Sequence, residues 1–293
     1  MDLSTFIVAV FCLIDDRLKG RRIRQRGPAP KLSDAEVLTI EIVGEFLGID
    51  TDKAIHLFFR RHYAEWFPAL REVHRTTFAR QAANLWKIKE RLWQEFLALA
   101  PHNPTFALVD SMPLPACLFA RAYRCSRFKG EAAFGKDTLL KQTFYDFRVH
   151  MRVSWWPGLI TRLSVAPANA HELSVLPELL ESTRGLAVGD RNYWSPETRE
   201  ELQRSMGVAL LAPYRTKKRD RAPQRSALLS RLRYRIDTVF SQLSGRYSVK
   251  RVWAKDLWHL VGRLLRKVLS HTVAFLLNHR AGNRPLQLSE LLY

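Results

Sequence analysis

Apolar residues recur at helical spacing over the first hundred positions. Leu3, Phe6, Ile7, Val10, Phe11 and Ile14 form one stripe, and Ser33-Asp34-Ala35-Glu36 reads as a capping box ahead of a helix over 37–47. Further helical pattern covers 52–61, 77–85 and 88–99, and Pro101 and Pro104 then mark a boundary. From Thr105 the period shortens. Phe106 to Asp110 and Leu186 to Asp190 are short apolar runs that predict buried strands, each closed by an aspartate. Between 144 and 155, Tyr145, Phe147, Val149, Met151, Val153 and Trp155 alternate with Asp146, Arg148, His150 and Arg152, which predicts a one-sided antiparallel strand. Pro157-Gly158 supplies a turn and 159–166 a returning strand. Asn169, with Glu172 three residues on, predicts a capped helix to about 181; a helix over 195–204 and a strand over 208–212 follow the Asp190 strand. Leu228, Leu232, Ile236, Val239, Phe240 and Leu243 share one stripe and predict a single helix over 226–244, ended by Gly245.

The pattern fits a chain long enough for two domains: 293 residues, helices first and alternating strands and helices after. The apolar start carries Asp2, Asp15 and Asp16 and no cationic leader, and the apolar stretch 257–278 is interrupted by Arg263, Arg266 and Lys267, so neither a signal peptide nor a membrane span is expected. Cys12, Cys117 and Cys125 are odd in number and lack paired spacing, which supports neither a disulfide framework nor a zinc site. A cytoplasmic protein without membrane contacts is expected.

Charge changes the picture more than length does. Lys and Arg number 47 against 28 Asp and Glu, a net +19, and the surplus is clustered. The run from Arg17 to Arg26 contains Arg21, Arg22 and Arg24 and no acid; Arg215 to Arg221 contains Lys217 and Lys218 with only Asp220 against them. A polyanion is the natural partner of such runs, although each alone reads equally well as a solvated face. Against this basic background Asp110, Asp190 and Asp237 stand out. Phosphodiester cleavage needs an activated water or 3′-hydroxyl and stabilisation of the leaving oxygen. Two Mg²⁺ ions ~3.5–4 Å apart supply both, held by carboxylate oxygens, with Mn²⁺ as a substitute. Taken singly, Asp110 reads as a turn or cap residue, Asp190 as a partner of its own loop, and Asp237 as a partner of Arg233 one turn earlier.

Several motifs together resolve these alternatives. The stretches 109–115 with 119–122, Phe128-Lys129-Gly130-Glu131-Ala132, 144–150, Asn169-Ala170-His171-Glu172, Ile236-Asp237-Thr238-Val239-Phe240-Ser241-Gln242-Leu243, 254–260 and 32–37 resemble a DDE transposase of the insertion-sequence 982 family over almost the whole chain. The strand and helix order is that of a ribonuclease H-like α/β core, a mixed five-stranded sheet flanked by helices, preceded by an all-α N-terminal domain. The resemblance implies DNA cleavage at insertion-sequence ends and strand transfer, with Asp110 and Asp190 as the first two catalytic, metal-holding acids. The third acid of the family is usually Glu, and Asp237 stands at that position. Two readings follow: a working transposase, or a catalytically weakened or repurposed DNA-binding protein on the same fold. The expected partners are double-stranded DNA, as terminal inverted repeats and target, and a second copy on DNA, in a bacterial nucleoid setting. Residues 1–104 are expected to bind DNA ends and 105–293 to form the catalytic domain. A basic insertion over 113–142 carries Arg121, Arg124 and Lys129 as phosphate contacts, and Arg233 either orients a carboxylate or touches a phosphate. His150, His171, Tyr193 and Trp194 are accessory candidates, the last two as stacking platforms for an unpaired base.

Overall fold

The computed structural model describes residues 1–23, 27–137 and 142–292. The chain begins with five helices: α1 (Leu3–Leu18), α2 (Asp34–Phe46), α3 (Asp52–His62), α4 (Arg75–Asn84) and α5 (Trp86–Leu99). Local chemistry sets their starts. Asp2 caps α1 by accepting from Thr5 N, Thr51 caps α3, and the capping box of Ser33 and Glu36 is formed in both directions at α2.

Six strands follow, in one mixed sheet. β1 (Phe106–Leu118), the short α6 (Phe119–Ala122), β2 (Ala133–Asp137), β3 (Gln142–Ser154) and β4 (Ile160–Pro167) lead into α7 (Glu172–Leu180). Then β5 (Gly185–Val188), α8 (Pro196–Met206) and β6 (Val208–Leu211) alternate, ahead of α9 (Pro223–Leu232) and α10 (Tyr234–Gly245). The order is β2-β3-β1-β5-β6, with β4 also on β3; β3 is antiparallel to its partners and β1-β5-β6 run parallel. Mixed sheet and flanking helices match the expected class, and β2 adds a sixth strand inside the span expected to be a basic insertion.

Four expectations are corrected. β1 does not end at Asp110 but runs on to Leu118 against β3. Phe106 O accepts from Trp155 N and Thr105 O accepts from Leu186 N, so odd positions point away from β3, and beyond 108 that edge has no paired strand. Pro113 and Pro115 fall on this free edge, where a missing amide costs nothing. β3 is not one-sided: His150 and Asp146 are buried because α7 packs over their face. Arg152 on that face donates to the terminal carbonyls of α7 at Leu179 and Glu181. α7 is capped by His171 rather than Asn169. The single helix expected over 226–244 is two, interrupted at Arg233; Leu229 is buried where Leu228 was expected, so the apolar stripe shifts by one residue across the break.

Past α10, α11 (Leu257–Arg280) is capped by Asp256 and packs with α5 and α2. The chain divides into two compact units, Met1–Ala100 with Leu243–Tyr293, and Pro101–Gln242, in place of the expected 1–104 and 105–293. The reason lies in α11. Arg266, 2% exposed, reaches Glu41 at 3.0 Å, Glu45 at 2.5 Å and Asp52 at 2.5 Å, while Lys267 reaches Glu45 at 2.6 Å and Lys89 reaches Glu41 at 2.7 Å. Burial opposes the Arg266 charge, yet Glu45, Asp52 and Glu41 hold it more firmly protonated than usual; for Lys89 and Lys267 burial prevails and lowers the pKa. No helix among the described residues is long and apolar enough to cross a membrane.

Two stability effects follow for the helical unit. Replacing Arg266 with Met leaves Glu41 and Glu45 buried beside one fewer cation, and a loss of ~3–5 kcal/mol is expected in urea unfolding of the full chain. His271 is fully buried on α11, and burial pushes its pKa down to about 4. Its unfolded form takes a proton near pH ~6.5 and its folded form does not, so stability is full above that pH and falls toward pH ~4, by about 2 kcal/mol at pH ~5. Thermal melts across this range, flattened in His271→Leu, check the sign and the source.

Candidate active site

Pairing places the first two expected acids side by side. Leu108 on β1 pairs with Val188 on β5, so Asp110 and Asp190 each stand two residues beyond the same rung of parallel sheet. There the strands part: β1 continues along β3, and the chain after β5 turns through a 3₁₀ segment, Arg191–Tyr193. Asp190 caps that turn, Oδ1 accepting from Asn192 N at 2.8 Å and Oδ2 from Asn192 Nδ2 at 3.2 Å. Gly189 is required for the turn to close, since a Cβ there would meet the Tyr193 ring at 2.6 Å. Tyr193 is fully buried and packs with Val109, Leu176, Leu180 and Ala187, which removes it as a stacking platform for a base. Trp194 is half-buried, its ring 4.5 Å from that of Tyr214.

Arg233 occupies the break between α9 and α10, and its Nη2 donates to Asp110 Oδ2. Of the two roles expected for Arg233, orienting a carboxylate is the one observed. Burial pushes the Asp110 carboxyl up to about 6, against the lowering pull of Arg233 and with a further push from Asp190 and Glu172. Burial works against the Arg233 charge, but Asp110, Asp190 and Asp237 raise its pKa above the ordinary value. Asp237, one turn along α10, is exposed.

Behind Asp110 lies a polar network that sequence reasoning missed. Ser111 Oγ donates to Glu172 Oε1 at 2.7 Å and accepts from Arg148 Nε at 3.0 Å, and Arg148 Nη2 stands 3.7 Å from Glu172. The alternation of β3 put Arg148 on the polar face, but Glu172 had a sufficient explanation as part of a helix start. His150, beside Ser111 across the strand pair, is fully buried with neither ring nitrogen bonded, and burial followed by Arg148 lowers its pKa to about 4. It is a neutral core histidine without access to a phosphate. His171 is exposed and engaged as the α7 cap, accepting from Leu173 N at 3.2 Å.

The basic candidates separate by partner. Arg21 is paired with Glu95 at 2.6 Å, Arg22 is exposed, and Arg24 lies outside the described residues. Arg121, Arg124, Lys129, Lys217 and Lys218 are exposed on the sheet-containing unit, the two lysines in a 3₁₀ turn.

The donor chemistry near Asp110 suits a hard divalent cation, but the geometry as it stands does not. Among the described residues no three His, Cys, Asp or Glu side chains come together as a metal-binding group. Arg233 holds Asp110, Asn192 holds Asp190, and Asp237 faces solvent.

With fold and site described, comparison with known proteins identifies the class. The transposase DDE domain family matches residues 102–252, just over half of the chain, and the protein belongs to that family. Among solved structures, a piggyBac transposase synaptic complex with hairpin DNA aligns with TM-score 0.52 and 10% identity, over 98% of this chain and 76% of that one. A Drosophila P element transposase strand transfer complex aligns with TM-score 0.32 and 10% identity, over 96% of this chain and 66% of that one. The first likeness is one of fold, and no argument rests on the second. Comparison with the curated proteins gives no match.

Proposed function

We propose that the protein cleaves phosphodiester bonds at the ends of an insertion sequence of the 982 type and joins the freed 3′-hydroxyl to target DNA. One observation carries the reading: a single rung of parallel sheet sets two carboxylates, Asp110 and Asp190, beside each other at the point where β1 and β5 part. Ligand and reaction sites in parallel α/β sheets sit at such carboxyl ends. Asp237 is the third acid by resemblance. The reading requires a divalent ion, Mg²⁺ or Mn²⁺, and a two-ion scheme requires the acids to close further than they stand.

The net charge of +19 and the exposed Arg121, Arg124, Lys129, Lys217 and Lys218 support DNA as partner, in the form of terminal repeats and target. Arg22 and the neighbouring basic run support an end-binding role for the helical residues 1–104, and pairing of two ends requires a dimer on DNA. Arg233 fits the reading as the residue that fixes Asp110 until DNA is bound.

Purified protein incubated with labelled terminal-repeat DNA and Mg²⁺ should give end-specific nicks that Asp110→Asn abolishes; nicking that persists in this variant overturns the assignment. The exposure of Asp237 also favours a second reading, a weakened copy that still binds DNA. Asp237→Glu separates the two, since a large gain from near-zero activity marks decay and an unchanged rate marks a working site. Binding divides differently from cutting. Lys217→Gln with Lys218→Gln should lower the slope of log affinity against log salt, measured by fluorescence anisotropy, by about one unit for each phosphate no longer neutralised. Arg21→Gln, whose charge is already paired with Glu95, should change it less.

A further inference from the structure

The carboxylate that the fold places against Asp110 and Asp190 is Glu172, not Asp237. Glu172 is the first residue of α7 and is 9% exposed. Oε1 is held by Ser111, next to Asp110 in β1, while Oε2 is buried without a hydrogen-bond partner. A second buried atom meets it. Tyr193, 0% exposed, also has an unpartnered hydroxyl, and the carboxylates whose charges act on that hydroxyl are Glu172, Asp110 and Asp190. Asp237 is exposed on α10 and acts on Arg233 behind Asp110 and Asp190. A buried carboxylate oxygen left unbonded is costly, and native proteins keep such atoms where something binds them.

We propose that Glu172 is a cation-holding carboxylate of this site, which with Asp110 and Asp190 takes a divalent metal ion once Arg233 releases Asp110. The proposal rests on the metal-dependent reading above. Ser111 and Arg148 are then positioning residues: they fix one Glu172 oxygen and leave the other for the ion, in the way that hydrogen-bonded outer groups orient ligating carboxylates. Hard oxygen donors without nitrogen or sulfur select Mg²⁺ or Mn²⁺ over zinc.

The test uses the full chain without DNA and Mn²⁺ as the probe. In calorimetric titration, Glu172→Gln should weaken Mn²⁺ binding by about tenfold or more with its melting transition retained, and Asp237→Asn should bind nearly as the parent does. Binding by Glu172→Gln equal to the parent's overturns the proposal and leaves the transposase reading intact; a parent chain that binds no Mn²⁺ overturns both. Should Glu172→Gln fail to fold, the unmodified protein answers the question. With Fe²⁺ in place of Mn²⁺ and peroxide added, backbone cleavage is expected near residues 110, 172 and 190, and cleavage near 110 and 190 without any near 172 refutes the role.

Discussion

Everything at the candidate site depends on β1 being paired on both sides over only its first few residues. Phe106 to Leu108 are locked between β3 and β5; beyond them β1 keeps β3 alone. The step from two partners to one opens a notch in the sheet edge, with Asp110 at its start and Asp190 across from it. A side chain placed there can be largely covered by protein and still face an opening, which is the condition for a carboxylate to be both desolvated and reachable. The raised pKa of Asp110 follows from that placement.

The two units handle buried charge in opposite ways. Around Arg266 every carboxylate has a cation within ion-pair distance, and the cluster ties α2, α3, α5 and α11 together. Near Asp110 the compensation is incomplete: Arg233 satisfies one carboxylate, while Glu172 Oε2, Tyr193 Oη and Arg233 Nε stay without partners. Complete pairing makes a rigid element. Incomplete pairing in a family that acts on DNA marks the place where further charge is brought in.

Much of this was legible beforehand. Capping boxes and apolar periodicity gave the helices of the first hundred residues, and alternation gave β3 and β4, because these signals are local. What failed was non-local. Nothing between Ser226 and Ser244 breaks the helical period, for no Gly or Pro marks Arg233, and only its reach to Asp110 reveals the interruption. The prolines of β1 argued for an ending because the sequence does not say which edge of a strand is free. Asp110 and Asp190 could be singled out by their place at the ends of apolar runs and by family motifs. Glu172 could not, since a glutamate at a helix start has a sufficient local explanation and its burial depends on the packing of α7 over β3.

The helical unit is assembled from the two extremities of the chain, with the entire sheet-bearing segment between them. Synthesis is directional, so α2 leaves the ribosome with Glu41 and Glu45 on its surface long before the α11 cations that neutralise them exist. During that interval the first hundred residues carry buried-type acids without counter-ions and an apolar face without its cover, while residues 101–242 have all their own strands at hand. A nascent chain is therefore expected to complete its sheet first and its helical unit last, and a message cut short before α11 would yield a product whose beginning, not merely its end, is unfolded.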